Sequence, residues 1–279
     1  MFRTRLRELG YTEGKNLVIE TRYARGVTEQ LPVLAAELVA LKPDILVTVS
    51  TPATRAAIKA TSSIPIVFAG VADPVGAGLI ASLARPGGNA TGYSMISTEL
   101  GAKWIELLRE IAPGAKRVAY LTNTGSGGAV LAFKRLQEEA RKLGVNVEML
   151  AGQDPARLKQ SLDAIVRERY AGLIVASSGS LLDHREQIVR FAAQQKLPAV
   201  YARREYVAAG GLLSYGADTT ALIQRAADYV DRIARGAKPS EMPVERPSTV
   251  RLVLNAKTSR ALGMTIPSSI RSRADEVID

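Results

Sequence analysis

The sequence predicts an α/β protein built from two lobes with parallel sheets, and three observations carry that expectation. Short β-rich runs alternate with amphipathic stretches along all 279 residues. Apolar strands alternating with helices mean parallel sheets covered on both faces. One unit also occurs twice. "ILVTVSTPATRAAI" (45–58) leads to "IPIVFAG", and "GLIVASSGS" (172–180) leads to "LPAVYAR"; each second strand has proline at its second position. Finally, small polar or proline-containing stretches at 86–98, 213–219 and 243–251 fit a chain that crosses between lobes three times. On this reading lobe 1 takes 1–95 and 215–247, and lobe 2 takes 96–214, with the closing segment 248–279 added to it.

Taken in order, Phe2, Leu6 and Leu9 share one helical face, and Gly10 ends that helix. A strand is expected at 17–23 ("LVIETRY"), then a helix at 28–41. A strand at 44–50 stops at Ser50-Thr51-Pro52, where a helix (52–61) begins at once. Such a junction is either a plain helix cap or a site for an anionic group. Strand 64–70 is followed by a helix at 74–84, with Asp73-Pro74 as its cap, and by strand 89–94. In the helix at 98–111, Leu100, Trp104, Leu107, Leu108 and Ile111 recur at helical spacing, so Trp104 reads as core. Strands at 117–122, 145–150, 172–177, 197–202, 211–215 and 249–254 and helices at 127–143, 155–169, 182–195 and 218–235 complete the series.

Composition narrows the function. The length suits one large or two medium domains, and 47% apolar residues suffice for ordinary cores. No apolar run approaches the roughly 20 residues of a membrane span. Cysteine is absent, which excludes disulfides and thiol catalysis, and the single histidine, His184, excludes a histidine-rich metal centre. The net charge of +10 raises the question of nucleic acid. The basic residues are spread along the chain, however. Both signs interleave in "FKRLQEEARK" (133–142), and four Phe and one Trp offer no aromatic-basic interleaving for stacking bases. No nucleic-acid partner is expected.

No catalytic signature is present: no GxSxG elbow, P-loop or HExxH. "TGSGG" (124–128) follows a strand but lacks GxGxxG spacing, so it reads as a loop presenting backbone N–H groups. His184, at the start of a charged helix, reads as a surface or capping residue. Asp73 and Asp218 each follow a strand and precede a helix, as caps, as ligand contacts, or as both. In "VYARREYVAAGGLLSYGAD" (200–218), Arg204 and Glu205 either pair with each other or meet a zwitterion's carboxylate and ammonium. Neither an enzyme nor a cofactor is expected.

The stretches "LGYTEGKNLVIETRYA", "SIPIVFAGVADPVGAGLIASLARPGGNATGYS", "PGAKRVAYLTN", "KLPAVYARREYVAAGGLLSYGAD" and "VERPSTVRLVLNAKTSRALGMTIPSSIRSRADEVID" run in unbroken order from residue 9 to the last residue. Together they resemble the substrate-binding components of ATP-driven uptake transporters, the group that includes tryptophan/tyrosine-type binding proteins. The resemblance implies a type I periplasmic-binding fold: two Rossmann-like lobes, three crossovers, and a small-molecule ligand held in the cleft on which the lobes close. It implies a periplasmic or extracytoplasmic protein whose closed form is read by a membrane permease. The ligand it implies is a small carboxylate-bearing solute, such as an aromatic amino acid. The same fold also serves ligand-sensing regulatory domains, but no DNA-binding helix-turn-helix is read here.

Position by position, the resemblance places Ser50, Thr51 and Ala53 around the ligand's carboxylate, with Asp73, Tyr93 and Ser94 completing the first lobe's contribution. From the second lobe it draws Asn123, Ser126, Ser177, Ser178, Tyr201 and Glu205, with Tyr215 and Asp218 flanking a crossover. An ammonium would suit Glu205 or Asp218, and Tyr93, Tyr201 or Tyr215 would stack on an aromatic body. The family pattern begins with a signal peptide, a strand and a Gly/Ser-rich loop, and this sequence opens at the helix that follows them. The first strand of lobe 1 is therefore expected to be missing. That leaves an open ladder edge, reduced stability, and self-association through the incomplete sheet.

Overall fold

In a computed structural model the chain divides into two units, Met1–Ile96 with Thr219–Ser248, and Ser97–Asp218 with Thr249–Asp279. The structure describes residues 1–25, 27–95, 98–125, 127–246 and 250–279. Unit 1 begins with α1 (Phe2–Glu8), α2 (Leu31–Ala40), β1 (Leu46–Val49), α3 (Thr51–Ala60), β2 (Ile66–Ala72) and β3 (Ala90–Met95). Unit 2 follows with α4 (Thr98–Ile111), β4 (Arg117–Thr122), α5 (Gly127–Lys142), β5 (Asn146–Ala151), α6 (Pro155–Arg167) and β6 (Gly172–Val175). It continues through α7 (Gly179–Asp183), α8 (Arg185–Gln194), β7 (Ala199–Tyr201), α9 (Arg204–Ala208) and β8 (Leu213–Ala217). The chain returns to unit 1 for α10 (Thr219–Ala234). It ends in unit 2 with β9 (Val250–Asn255), α11 (Ala256–Leu262), α12 (Ser268–Arg271) and β10 (Glu276–Ile278). Among the described residues no helix is long and apolar enough to cross a membrane.

The sheet of unit 1 is parallel, in the order β1-β2-β3. Leu46, Ile66, Phe68 and Val71 pack with Ala57 of α3 on one face. On the other, Tyr93 meets Tyr229 of α10 edge-on, with ring centroids 4.9 Å apart. Helix α10 is itself held to the chain's first residues by Arg5–Asp228 (2.8 Å) and by the Tyr11 hydroxyl donating to Asp231 (2.9 Å). The β2–β3 register shifts between Ala69 and Val71, where Gly70 takes φ +71°. That extra residue is a bulge of the kind only a glycine makes cheaply.

Two expected elements of unit 1 are absent. Residues 17–23 are extended but form no ladder beyond a bridge from Glu13 to Leu17. The alternation suits a strand, but a strand needs a neighbour. Here Arg22 ties the segment to Glu37 of α2 (3.0 Å), and Val18 and Tyr23 stay exposed. The helix expected at 74–84 is a run of turns instead, because Gly76 and Gly78 interrupt it and Gly78 takes φ +66°, outside the right-handed region. The outer edge of β1 has no ladder partner among the described residues, and Val47 and Val49 are 39% and 64% exposed.

Unit 2 has a seven-stranded sheet in the order β10-β9-β8-β7-β6-β4-β5, parallel except for the β8–β9 pair. Its two faces carry separate cores. Trp104, Leu107, Leu108, Leu136, Ile174 and Val200 fill one, and Leu158, Leu162, Leu173, Val175, Ile188 and Tyr206 fill the other. The Trp104 indole N–H donates to the Tyr215 carbonyl at 2.6 Å. Residues 215–218, expected to open the second part of lobe 1, lie in unit 2 because β8 runs on to Ala217 and pairs with β9. The short elements α9, α11, α12 and β10 went unread in the sequence. Of these, α11 still has ordinary ends: Asn255 accepts the Thr258 N–H (2.8 Å), and Gly263 closes it at φ +66°.

Gly92 in β3 takes φ +143°, and a Cβ there would lie 2.0 Å from the Phe68 carbonyl oxygen. Backbone cannot yield as a side chain does, so Gly92→Ala is expected to cost about 2–3 kcal/mol. Urea denaturation checks this; an unchanged midpoint would show that β2 and β3 are not packed this closely.

Candidate ligand-binding site

Parallel pairing sets the carboxyl ends of β1, β2 and β3 side by side. At the first of them, Ser50 adopts φ 91°, ψ 154°. This region is essentially reserved for glycine and costs a residue with a side chain about 1–3 kcal/mol. Its neighbours hold it there. The Ser50 N–H donates to Ala69 O of β2 (3.3 Å), and its carbonyl accepts from the Thr54 N–H (3.1 Å) and the Thr54 hydroxyl (2.8 Å). Thr54 Oγ1 lies 2.9 Å from Thr48 Oγ1.

The consequence is chemical. The Ser50 hydroxyl makes no capping bond to α3. Pro52 has no N–H to offer. The N–H groups of Thr51 and Ala53 find no acceptor among the described residues. Two donors at the positive end of a ten-residue helix form an arrangement suited to a carboxylate or another small anion.

Around this point the other first-unit residues fall as follows. Asp73 takes φ +43°, and its Oδ1 accepts the Gly76 N–H (3.0 Å), so it caps the turn after β2. Arg55 of α3 donates to Ala77 O of that turn (2.7 Å). Ser94 is buried in β3, and its N–H donates to Glu245 O (2.9 Å). Tyr93 is buried against Tyr229; burial, with Tyr229 and Glu245 nearby, raises its proton affinity. The Tyr229 hydroxyl donates to Pro243 O (2.6 Å) and lies 3.1 Å from Glu245 Oε1, while Arg225 pairs with the other Glu245 oxygen (3.1 Å). Nothing in the sequence flags Arg225, Tyr229 and Glu245 as one cluster, because they join three separate segments.

In unit 2 the chain runs from β4 outward to β5 and then back to β6 on the other side of β4. Reversal of this kind opens a crevice at the carboxyl ends, the usual ligand position in open α/β sheets. Asn123 and Ser177 follow the two strands that flank it. Asn123 Oδ1 accepts the Gly125 N–H (3.0 Å), and Ser178, at the start of α7, lies 2.9 Å from the Ser180 hydroxyl. Ser126 lies outside the described residues. Thr124 and Gln153, from the loops after β4 and β5, hydrogen-bond each other (3.2 Å).

After β7, Glu205 pairs with Arg203 (2.5 Å) and Arg204 with Glu276 of β10 (2.8 Å). The sequence offered Arg204–Glu205; the structure shifts each pairing by one partner. Tyr201 is 1% exposed, with its ring stacked on Tyr206 at 4.9 Å. Tyr215 is half-buried on the α4 side, beside a surface cavity of about 250 Å³ that Lys103 and Arg273 also line. Asp218 pairs with Arg251 at 3.7 Å. His184 joins α7 to α8. Among the described residues no group of three or more His, Asp or Glu side chains could hold a metal ion.

The family model for the ABC transporter substrate binding protein matches residues 2–278. The chain belongs to that family. A tyrosine-binding protein from Clostridioides difficile is 27% identical over 260 residues, covering 93% of this chain and 74% of its own. Among solved structures, a conserved domain protein from Vibrio cholerae O1 biovar eltor superposes with a TM-score of 0.92 at 32% identity, covering 98% of this chain and 92% of that one. The ABC domain from Streptococcus pneumoniae in complex with L-Trp gives 0.91 at 26% identity, covering 99% and 92%. The fold is thus that of type I periplasmic-binding proteins.

A further side-chain network lies at the other end of the unit 2 sheet. Arg117, at the amino end of β4, donates to both Glu148 oxygens (2.8 and 3.1 Å) and to Glu168 (2.8 Å), and its guanidinium lies over the Tyr170 ring at 4.5 Å. The Arg117 bonds hold the Glu148 carboxyl below its usual range, and burial pushes the Tyr170 phenol up to about 12. This network joins strand starts, at the opposite end of the sheet from Asn123 and Ser177.

Strain at Ser50 makes its own prediction. Ser50→Gly relieves the positive φ and is expected to stabilise the ligand-free protein by about 1 kcal/mol, after allowing for glycine's greater unfolded-state freedom. A thermal melt that falls would mean the serine side chain contributes more than the strain costs.

Proposed function

We propose that this substrate-binding protein captures a small carboxylate-bearing solute, an amino acid or a related compound, for an ABC-type importer, outside the cytoplasmic membrane and as a non-enzymatic partner of a membrane permease. The observation that carries the reading is the clamped Ser50 turn, which leaves the Thr51 and Ala53 N–H groups without acceptors among the described residues at the start of α3. An amino acid's carboxylate suits those donors. The tyrosine-binding relative and the L-Trp complex support an aromatic amino acid as the first ligand to try. Tyr93 and Tyr201 are buried, and of the three candidate stacking residues only Tyr215 is half-buried.

A thermal-shift panel of aromatic and aliphatic amino acids tests this. A ligand at 100 times its Kd should stabilise the fold by about 2.7 kcal/mol. Thr51→Pro removes one N–H at a position where proline suits the helix, and should weaken binding about tenfold or more, the worth of one hydrogen bond to a charged group. If Thr51→Pro binds as well as the parent, α3 begins with an ordinary cap and the carboxylate lies elsewhere.

The β1 edge, without a ladder partner among the described residues, supports self-association of this chain. Unpaired ladder groups with two exposed valines favour edge-to-edge pairing, and a lysine on such an edge opposes it. Light scattering should find mass above the 29.8 kDa of one chain, rising with concentration, and Val49→Lys should restore the monomer. A parent that stays monomeric throughout removes this proposal and leaves the binding reading untouched.

A further inference from the structure

We infer that Tyr206 is a solute-contacting residue of unit 2, its hydroxyl hydrogen-bonding an oxygen of the bound solute; the inference rests on the solute-binding reading above. Tyr206 sits in α9, directly after β7, and is 0% exposed. Its ring is fixed by stacking on Tyr201, with planes 12° apart. Its hydroxyl is buried and has no hydrogen-bond partner among the described residues.

Three other tyrosine hydroxyls have partners within the fold. The Tyr229 hydroxyl donates to Pro243 O, Tyr170 to Glu148 and Tyr11 to Asp231. Folded proteins satisfy nearly all buried polar atoms, and one left alone calls for a reason such as an absent water or ligand. The surroundings favour a ligand. The charges that act on the Tyr206 phenol belong to Arg203 and Glu205, after β7, and to Asp183 and Arg185, at the α7–α8 corner after β6. Ser177 and Ser178 also follow β6. Burial raises the proton affinity of the phenol, so at neutral pH it is a hydroxyl and a donor. A neutral donor flanked by charges of both signs suits a carboxylate, carbonyl or hydroxyl oxygen on a polar solute. Sites built around a buried hydrogen-bonding group discriminate strongly against ligands that cannot complete the bond.

Tyr206→Phe keeps the stacked ring and removes only the oxygen. Calorimetric titration of L-tyrosine, L-tryptophan and L-phenylalanine into parent and variant, with melts of both in ligand-free form, reads the effect. The variant is expected to bind the preferred amino acid at least tenfold more weakly while melting, without ligand, at or above the parent's temperature. Unchanged affinity would mean that the hydroxyl meets only water and overturns the inference while leaving the function intact. A clearly lower ligand-free melt would give the hydroxyl a partner within the protein and overturn it equally. A parent that binds none of the three, nor any amino acid of the wider panel, removes the functional reading and this inference with it.

Discussion

Parallel pairing governs what the rest of this structure can do. Strands that run the same way must be joined by crossovers, so their carboxyl ends, and the turns into the following helices, gather at one edge. In unit 1 the turn after β1 is unusually tight. Val49 still faces Ala69 across the ladder, and α3 begins two residues later. The bond from the Ser50 N–H to Ala69 O, together with the grip of Thr54 on the Ser50 carbonyl, holds a serine at φ 91°. The strain and the two unused donors of α3 are therefore one feature. A relaxed serine would be placed to cap the helix with its own hydroxyl and fill the position that an anion can take.

The same constraint shapes unit 2 differently. There the strand order reverses around β4, and the polar residues come from loops that follow β4, β6 and β7. The charged side chains at these ends are mostly occupied with one another: Glu205 with Arg203, Asp218 with Arg251. What they leave unoccupied is a hydroxyl in the core beneath them, on Tyr206. Both units thus offer donors that are neutral and fixed by packing, one pair from the backbone and one from a stacked ring.

Much of this was legible in the sequence, and the limits have physical causes. The strands from 44–50 to 249–254 were readable because buried parallel strands are dense in branched apolar residues, and the α3 junction because Ser-Thr-Pro is a helix start. Residues 17–23 carry the alternation of a strand, but pairing depends on a neighbour that no local pattern reveals. Gly76 and Gly78 were readable as weak points, yet whether two glycines end a helix is decided by the turn they join. The burial of two of the tyrosines was hidden for a third reason. In a strand buried on both faces, period-two alternation no longer separates core from site, so Tyr93 and Tyr201 looked as available as Tyr215. The pairing of Arg204 was hidden because its partner, Glu276, lies in a three-residue strand at the far end of the chain.

The chemistry of the proposed carboxylate site also bears on what a carrier must do. The chain has 37 Lys and Arg residues, yet the donors identified at α3 are backbone N–H groups. A buried guanidinium would grip a carboxylate with two charge-assisted bonds, and it would have to stay buried and uncompensated whenever the solute was gone. Two N–H groups at a helix start cost far less to leave empty, since partial charges in a fixed array need no counterion. The orphan hydroxyl of Tyr206 follows the same logic, being a neutral group whose desolvation is tolerable without a partner. A protein that fills and empties in turn has to be stable in both states. Backbone dipoles and a stacked phenol meet that requirement where a buried ion pair would not, and on this view the basic surface and the solute site are separate properties of the chain.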